Sequence, residues 1–572
     1  MIRPAVALLL AAAAVLPAAA QDLGTEQQRA AGREQYEKYC AQCHGEAGDG
    51  LGHATLRLKP APRDFTSGKY KIRTTPSGAL PTDADLRKVI REGLPYTSMP
   101  GWPSFTDKQV QEIIYYLKTF SADFSNPDRY QPPIDVPEPV ASTEESVARG
   151  AEIYVELGCG RCHGDVGRGD GVSAPTLVDD WNQHLRPVDM TMRWTFRGGP
   201  TRKDIFRTFS TGLNGTPMPS YADALAVEDR WHLVNYIYSL AEADTPNYAD
   251  LLVVPYVARD IDLSDAEALD ALFADAPPAR FPLIGQIVEP GRSFYPATTS
   301  LVARAVYNPQ DIAVELRWND MRAETTGHNA PDLVAPPWDQ QRLMAPDFAV
   351  APDEAGGEDS GDFWGVEEQD TGGGDDFWGE GGGEEAAAGP DTEFSDAVAI
   401  QLPQSLPTGI RKPYFIFGDA QSPVDLWFVD LARKRVETHV GRGSASVVAT
   451  PGDDIEVVAS FDRGQWRVVY KRSLRSTSGI TFGPEQFVPV AFSVWDGFHS
   501  ERGNKRALSR WLYLYLEPSE DVAVAGPMLE AALVALVIEL LIVFLVRRWY
   551  SRKRTAEQPG PTGAMSHGGV AR

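Results

Sequence analysis

The chain has 572 residues, enough for about three or four domains, and 43% of them are hydrophobic, so sizeable cores can form. Its formal net charge of −25 argues against a nucleic acid partner. Much of this charge is local, because 16 Asp or Glu residues and no Lys or Arg lie between Asp353 and Asp396.

The first 20 residues are typical of a signal peptide. Arg3 gives a short positive start, residues 5–16 are apolar, and the alanines at 18–20 form a cleavage site. This apolar run is too short to span a bilayer. We therefore expect a mature chain that begins near Gln21 and is exported to the periplasm.

An internal repeat follows the signal peptide. Cys40 and Cys159 are 119 residues apart, and so are Met99 and Met218. This offset predicts two copies of one helical module, over residues 22–125 and 142–246, joined by a Pro-rich linker over 126–141. Apolar residues at helical spacing and the segments that lead into the cysteines predict helices over 27–39, 107–120, 145–157 and 227–241.

Each copy contains one C-x-x-C-H motif. Two thiols at this spacing form thioether bonds to haem vinyl groups, and the adjacent imidazole binds the iron. The segments YCAQCHGEAGDG and GCGRCHGDVGRGD resemble class I c-type cytochromes, over about residues 27–241. Zinc sites and disulfides are the alternatives, and a repeated motif behind a signal peptide disfavours both. The resemblance implies two covalent haems c, at Cys40, Cys43 and His44 and at Cys159, Cys162 and His163.

A methionine is the expected sixth iron ligand. Met99 and Met218 each lie 55 residues after the motif histidine of their copy, which is hard to explain if they only fill a core. Met190 and Met192 are nearby rivals, but they fall outside the repeat. His/Met ligation raises the haem potential and leaves no open position for a substrate. The two modules are therefore predicted to transfer electrons rather than to catalyse a reaction.

The pattern changes to alternating strands from about residue 251. Residues 302–307, 312–318 and 466–470 alternate as half-buried strands do, which predicts a β-sandwich over 251–520. The acidic, Gly-rich stretch 351–396 is predicted to be a disordered insert. It contains the sequence Asp-Phe-Trp-Gly twice, which suits either a docking site for a basic partner or a solubilising tether.

Three segments of the C-terminal half are similar to one family. They are KPYFIFGDAQSPVDLWFVD, GQWRVVYKRSL and FSVWDGFHSERGNKRALSRW, and they resemble the haem b domain of the ethylbenzene dehydrogenase gamma-subunit family. That family includes gamma-type subunits of dimethyl sulfide dehydrogenase, of selenate and chlorate reductases, and of related nitrate and nitrite oxidoreductases. The resemblance implies partners of two kinds, a molybdenum catalytic subunit and an iron–sulfur subunit.

The same resemblance implies one haem b held by a Lys and a Met. Lys505 matches the family lysine by its position in RGNKRALSRW, and burial would lower its pKa as iron binding requires. Phe417 stands where the family commonly has the Met. Met321 and His499 are the alternative ligands, and a domain without haem b is the other outcome.

A second apolar run covers residues 522–546, and about 20 apolar residues suffice to cross a bilayer core. Basic residues follow from Arg547 to Arg554, so the positive-inside rule places the tail, 547–572, in the cytoplasm. We therefore expect a single-pass inner-membrane protein whose bulk is periplasmic. Glu539, near the middle of the run, is expected to serve protons or a quinone, or to pair with a partner helix.

The predicted fold is multidomain, with two all-α cytochrome c domains, one mainly-β sandwich and one C-terminal transmembrane helix. We predict an electron-transfer subunit that passes electrons between an iron–sulfur or catalytic partner and a soluble or membrane cytochrome. Two alternatives remain at this point. One is a stand-alone dihaem dehydrogenase, and the other is a dihaem cytochrome whose haem-free sandwich acts only in docking.

Overall fold

The computed structural model describes residues 22–55, 58–241, 245–334, 393–407, 409, 411–451, 455–476, 479–519 and 525–556. The chain forms two compact units, which meet in sequence between Glu517 and Pro518. The predicted signal peptide, residues 351–392 of the predicted insert and residues 557–572 of the predicted tail lie outside the described residues.

The first helical segment, residues 22–125, begins with the capping box of Thr25 and Gln28. A Cβ on Gly32 would lie 1.9 Å from the carbonyl oxygen of Glu112, so only glycine lets the first and last helices of the segment cross this closely. The helices are α1 (Glu26–Tyr39), α2 (Ala41–His44), α3 (Asp83–Glu92) and α4 (Asp107–Leu117).

The second helical segment, residues 142–241, repeats this arrangement. A Cβ on Gly150 would lie 2.1 Å from the carbonyl oxygen of His232, which is the equivalent close helix crossing. The helices are α5 (Glu144–Glu156), α6 (Gly160–His163), α7 (Arg202–Thr211) and α8 (Val227–Ser239).

The four predicted helices are all present, with ends that differ by one to three residues. The helix predicted over 107–120 ends as an α-helix at Leu117 and continues as a 3₁₀ turn, Lys118–Phe120. The linker predicted over 126–141 begins with a 3₁₀ turn, Pro127–Arg129, and then runs extended to α5.

Two β-sheets pack face to face in the rest of the first unit. In the described residues the strands are β1 (Leu251–Val254), β2 (Ala279–Pro282), β3 (Ile284–Gly285), β4 (Ser300–Tyr307), β5 (Asp311–Asn319), β6 (Ala397–Pro403), β7 (Val424–Asp430), β8 (Arg435–Gly441), β9 (Val447–Ala449), β10 (Ile455–Asp462), β11 (Gln465–Ser473), β12 (Phe487–Trp495), β13 (Ala507–Leu508) and β14 (Leu512–Leu516). A short helix, α9 (Ala266–Phe273), lies between β1 and β2.

One sheet has the strand order β1-β14-β12-β6-β7-β8-β9, in which β13 also pairs with β12 and β3 pairs with β13. The other sheet has the order β10-β11-β5-β4-β2. Their inner faces share one apolar core, which contains Leu316 and Trp466 from the smaller sheet and Val398 and Phe492 from the larger one. The predicted sandwich is therefore present as a two-layer β structure.

The three predicted strands lie within β4, β5 and β11. The predicted end of the acidic insert, at residue 396, is wrong by at least three residues. Phe394, Ser395 and Asp396 are all buried, and they lead directly into β6. The mistake came from composition, because these residues continue an acidic run in the sequence.

The second unit contains one described helix, α10 (Ala525–Ala556). Within it, the 26 residues Met528–Lys553 have a mean hydropathy of 2.8 in their most apolar window. By length and composition alone this helix is a candidate for crossing a membrane.

Candidate functional site

Both C-x-x-C-H motifs form single helical turns. In the first, the amides of Cys43 and His44 donate to the carbonyl oxygen of Cys40, at 3.1 and 2.9 Å. In the second, Cys162 and His163 donate to Cys159, at 3.3 and 2.9 Å. One turn of helix brings each pair of thiols and the following imidazole to the same side of the chain. All four thiols are free, and no disulfide joins them in this structure.

The two motif histidines share a second feature. His44 Nδ1 donates to the carbonyl oxygen of Arg63 at 3.0 Å, and His163 Nδ1 donates to that of Val188 at 3.3 Å. Because Nδ1 carries the proton, Nε2 keeps its lone pair for a metal ion, as in many histidine ligands. Burial lowers the pKa of both imidazoles, which keeps them in the neutral form that binds iron.

The two candidate methionines lie in loops with the same hydrogen bonds. In the first loop the Leu94 amide donates to the Met99 carbonyl at 3.1 Å, Thr97 Oγ1 donates to the Leu94 carbonyl at 2.8 Å, and the Met99 amide donates to Thr97 Oγ1 at 3.1 Å. The equivalent bonds in the second loop join Leu213, Thr216 and Met218, at 3.1, 2.8 and 3.2 Å. The repeat therefore extends from sequence spacing to the backbone geometry of each methionine.

One cavity of about 3510 Å³ connects these groups. Both motifs and both methionines line it, and it extends to the sandwich at Pro282 and His499. A pocket for one small ligand usually measures about 300–1,000 Å³, so this cavity has room for more than one prosthetic group. Met190 and Met192 also line it, but the bonds that repeat between the two copies belong to Met99 and Met218.

Several cations line the same cavity. Burial lowers the pKa of Arg63, Lys71 and Arg197, and for Arg197 the nearby charge of Arg63 adds to this effect. Asp179 supplies one counter-charge, 3.1 Å from Lys71. Haem carries two propionate carboxylates, and guanidinium groups that line a cavity are suited to hold such anions. The donor set and the cationic wall thus both fit haem c.

The two helical segments are joined by buried contacts beside the cavity. Arg73 donates to the carbonyl oxygens of Thr211 at 2.7 Å and Gly212 at 3.2 Å. Trp181 Nε1 donates to Asp64 Oδ2 at 2.9 Å. These bonds fix the two motifs relative to each other.

The second segment also contacts the sandwich. Asn319 Nδ2, at the end of β5, donates to Asp189 Oδ2 at 2.7 Å. Arg168 Nη1 donates to the carbonyl oxygen of Arg463 at 2.6 Å, in the turn between β10 and β11. The second segment therefore contacts both the first segment and the sandwich.

The predicted haem b ligand, Lys505, lies next to the cavity. Its Nζ donates to the carbonyl oxygen of His499 at 2.7 Å. Burial and the nearby charge of Lys59 lower the pKa of Lys505 to about 8, the direction that an iron bond requires. His499 and Lys59 line the cavity, whereas Lys505 is not among the described residues that do so.

The other residues considered for haem b have structural partners. Phe417 is buried, and the Arg506 guanidinium lies 3.8 Å from its ring centroid. Met321 is buried with Ala174 and Phe498. His499 Nδ1 lies 3.0 Å from Asp496 Oδ2. In the described part of the chain, none of these side chains is seen to share a haem site with Lys505. Haem b therefore stays a prediction.

Sequence reasoning missed two groups of residues. One is the cationic wall at Arg63, Lys71 and Arg197, because no pattern in the sequence marks these residues. The other is a buried carboxylate cluster at Asp320, Glu324 and Asp496. Asp320 and Glu324 are close in sequence, but Asp496 lies far along the chain and meets them only when the two sheets pack together.

The helical half of the chain matches a known family twice. Residues 27–117 and 145–237 each match the profile of the family described as cytochrome C oxidase, cbb3-type, subunit III. The subunit CcoP of the cbb3-type cytochrome c oxidase of Azospirillum sp. is 25% identical over 221 residues, which are 37% of this chain and 62% of that protein.

Two further relatives come from respiratory systems and complexes. A proposed respiratory nitrate reductase heme subunit, ORF7, of Haloferax mediterranei is 27% identical over 143 residues, 25% of this chain and 49% of that protein. A chain of the Kuenenia stuttgartiensis reducing HAO-like protein complex is 44% identical, and the alignment covers 37% of this chain and 96% of that chain, with a TM-score of 0.36.

The chain spans about half to three fifths of the length of the curated relatives that it matches. The family match and these relatives support a cytochrome c electron-transfer protein. At this level, the prediction of an electron-transfer subunit rather than of an enzyme is confirmed.

Proposed function

We propose that this chain is the membrane-anchored, dihaem electron-transfer subunit of a respiratory oxidoreductase complex. One observation carries the proposal. The same iron-binding frame occurs twice around one cavity, with a histidine whose Nδ1 is held by a carbonyl and a methionine in a loop of fixed hydrogen bonds.

In each copy the chain supplies four groups to one haem c. The cysteines hold the porphyrin covalently, and the ligand pairs are His44 with Met99 and His163 with Met218. A haem supplies an iron that accepts and returns one electron. The protein fixes both ligands, so little rearrangement is needed when the iron changes its charge. Arg63 and its neighbouring cations hold the propionates.

The contacts between the segments support a fixed path for the electrons. Because Arg73 and Trp181 tie the first segment to the second, the two haem sites share one cavity in a fixed arrangement. Because Asn319 ties the second segment to the sandwich, the path ends beside the domain that we propose to dock a partner. Electrons then cross the chain without any motion of one segment past another.

Location and partners complete the proposal. In this proposal the N-terminal half is exported, the haems lie in the periplasm and the C-terminus lies in the cytoplasm. The apolar helix α10 and the basic residues near its end support this orientation. The partners are an iron–sulfur subunit and a molybdenum catalytic subunit on one side, and a soluble or membrane cytochrome on the other. Similarity to a respiratory nitrate reductase heme subunit supports this choice.

A specific observation favours a sandwich that docks without a haem of its own. A cavity between its two sheets, lined by Leu252, Val314 and Trp427 among others, has a volume of about 10 Å³, so a haem does not fit at this place. In this form of the proposal the c-type haems alone carry the electrons.

A pyridine haemochrome spectrum of the purified full chain, with acid–acetone extraction beforehand, tests the proposal. The extraction removes haem b and leaves haem c on its cysteines. We expect two covalent haems per chain and none in the extract. One haem b in the extract would restore Lys505 as a ligand, and a chain with no redox-active covalent haem would refute the proposal.

Pull-down from native membranes tests the partners separately. The proposal expects an iron–sulfur protein to accompany the full chain. If the dihaem chain is repeatedly recovered alone, it is not a subunit of such a complex. The proposed electron-transfer role would not be affected by that result.

A further inference from the structure

A buried carboxylate cluster lies in the sandwich, apart from the haem ligands. Asp320 directly follows β5, Glu324 lies four residues later, and Asp496 directly follows β12. One oxygen of each carboxylate lies within 4.8 Å of the other two. The three residues are 1%, 2% and 1% exposed. Three carboxylates so close together and so deeply buried repel one another strongly unless a cation or protons join them.

Two of the buried oxygens have no hydrogen-bond partner among the described residues, namely Asp320 Oδ2 and Glu324 Oε2. The other oxygen of Glu324 accepts from Arg322 Nε. The other oxygen of Asp320 receives only a long contact, 3.5 Å from the Arg322 amide. An unpaired buried carboxylate oxygen costs several kilocalories per mole, so such oxygens indicate a ligand.

Two neighbouring carboxylates show how the rest of the region is held. Asp396 accepts from the amides of Glu324 and Gly497, both at 2.8 Å, and from Trp466 Nε1 at 3.0 Å. Glu501 accepts from the Asp496 amide at 3.1 Å. These fully bonded groups fix the backbone on which the three cluster carboxylates stand. The unpaired oxygens therefore belong to an ordered part of the fold.

The cations near the cluster are shared among several carboxylates. Arg322 pairs with Glu324, and His499 lies 3.0 Å from Asp496. Arg186 acts on Asp320 from a greater distance, and Lys59 and Lys505 act on Asp496 and on the neighbouring Glu501. Burial and the neighbouring charge of Asp496 raise the pKa of Glu324 to about 8. Among the described residues, no cation forms a direct ion pair with Asp320.

We propose that Asp320, Glu324 and Asp496 bind one hard divalent cation, of which Ca²⁺ fits best. All three donors are carboxylate oxygens, which hard cations prefer. Ca²⁺ accepts irregular arrangements of oxygens at 2.3–2.6 Å, whereas Mg²⁺ requires a near-ideal octahedron at 2.0–2.1 Å.

The position of the site indicates what the ion does. It joins the ends of β5 and β12, which belong to different sheets, and it lies one residue beyond Asn319, which contacts the second helical segment. The bound ion would fasten the two sheets together where the haem-binding half docks on them. Its role is structural, so the inference stands or falls independently of the proposed electron-transfer function.

Equilibrium dialysis of the full chain in detergent against Ca²⁺ alone, after stripping with a chelator, tests the site. We expect about one ion per chain and a thermal midpoint that rises when Ca²⁺ is added. Asp320→Asn and Glu324→Gln keep the shape and remove the charge, and each should weaken binding by more than about tenfold. Asp260→Asn removes an exposed carboxylate of the same unit and should change neither result.

Two results would overturn the site. The first is a wild-type chain that binds no more Ca²⁺ than the Asp320→Asn variant and whose thermal midpoint changes neither with Ca²⁺ nor with chelator. The second is a pair of amide variants that are as stable as the stripped wild type or more stable, with Ca²⁺ stabilising all of them equally. That result would mean that the carboxylates share protons, because neutral amides then replace neutral acids at no cost. The haem absorbance of each variant shows whether the chain has folded.

Discussion

The two helical segments share one iron-binding frame and differ in the loops around it. The helix crossings, the Nδ1 bonds and the methionine loops are alike. The carbonyl that holds His44 lies 19 residues further along the chain, whereas the carbonyl that holds His163 lies 25 residues further. The duplicated positions are those that we propose to bind the iron, and the loops between them differ in length.

The loops of the second segment form contacts on two sides. Asp179 and Trp181 reach the first segment, while Arg168 and Asp189 reach the sandwich. The first segment supplies cations, such as Arg73, to this junction. The comparison teaches that the proposed iron-binding residues are common to both copies. The contacts that join the helical segments to each other and to the sandwich depend on the loops of the second copy. Variants of the frame should therefore act alike in both copies, and variants of the loops should not.

Removing one pair of cysteines should have the largest effect. Either Cys40→Ala with Cys43→Ala, or Cys159→Ala with Cys162→Ala, deletes both thioether bonds of one haem. We expect each double variant to keep one covalent haem of the two, measured as haem stain and haemochrome per chain. If either variant kept both haems, the motif of that copy would not be an attachment site.

Truncating the methionines should change ligation without loss of haem. Met99→Ala and Met218→Ala should each turn one haem from low-spin to high-spin and lower its potential, because an axial methionine favours the ferrous state. Absorbance and redox titration measure this. Met190→Ala and Met192→Ala are the matched controls from the same cavity, and either of them producing the spin change instead would reassign the ligand.

Arg73→Ala tests the junction between the segments. It removes hydrogen bonds to two buried carbonyls, so we expect an apparent destabilisation of about 2–3 kcal/mol, seen as an earlier loss of haem-region ellipticity in denaturant. Arg33→Ala deletes an exposed arginine that pairs with Glu37, and it should destabilise the chain much less than Arg73→Ala does. Equal effects would mean that the junction adds little.

Asn319→Ala tests the contact of the second segment with the sandwich. It removes the bond to Asp189 and the bond that Gln465 Nε2 donates to Asn319 Oδ1. The expected loss is about 1–2 kcal/mol, because the Asp189 carboxylate keeps its bond from Thr191. Limited proteolysis between the helical half and the sandwich measures it. Faster cleavage supports the contact, and an unchanged rate for Asn319→Ala would show that the second segment is held to the sandwich by its other contacts.

Local patterns predicted the frame well. Helical spacing and the segments that lead into the cysteines gave the helices, and alternation gave β4, β5 and β11. The 55-residue spacing selected two methionine loops that prove to share their hydrogen bonds. These features depend on residues close in sequence or on the repeat itself.

Long-range contacts were beyond such patterns. Asp396 reads as part of an acidic insert, yet it accepts from Trp466, 70 residues away. Arg63 and Arg197 meet only because two segments pack together. The charge of an isolated residue does not reveal whether it will be solvated or buried, since that depends on which strands and helices become neighbours.

The electron paramagnetic resonance spectrum of the oxidised full chain tests the central claim most directly. Two haems that each have a histidine and a methionine ligand should give two low-spin ferric signals and no high-spin signal. That result is what the duplicated frame predicts. A stoichiometric high-spin signal from the unmutated protein would contradict it, because it would show an iron with an open position, as a dihaem enzyme requires.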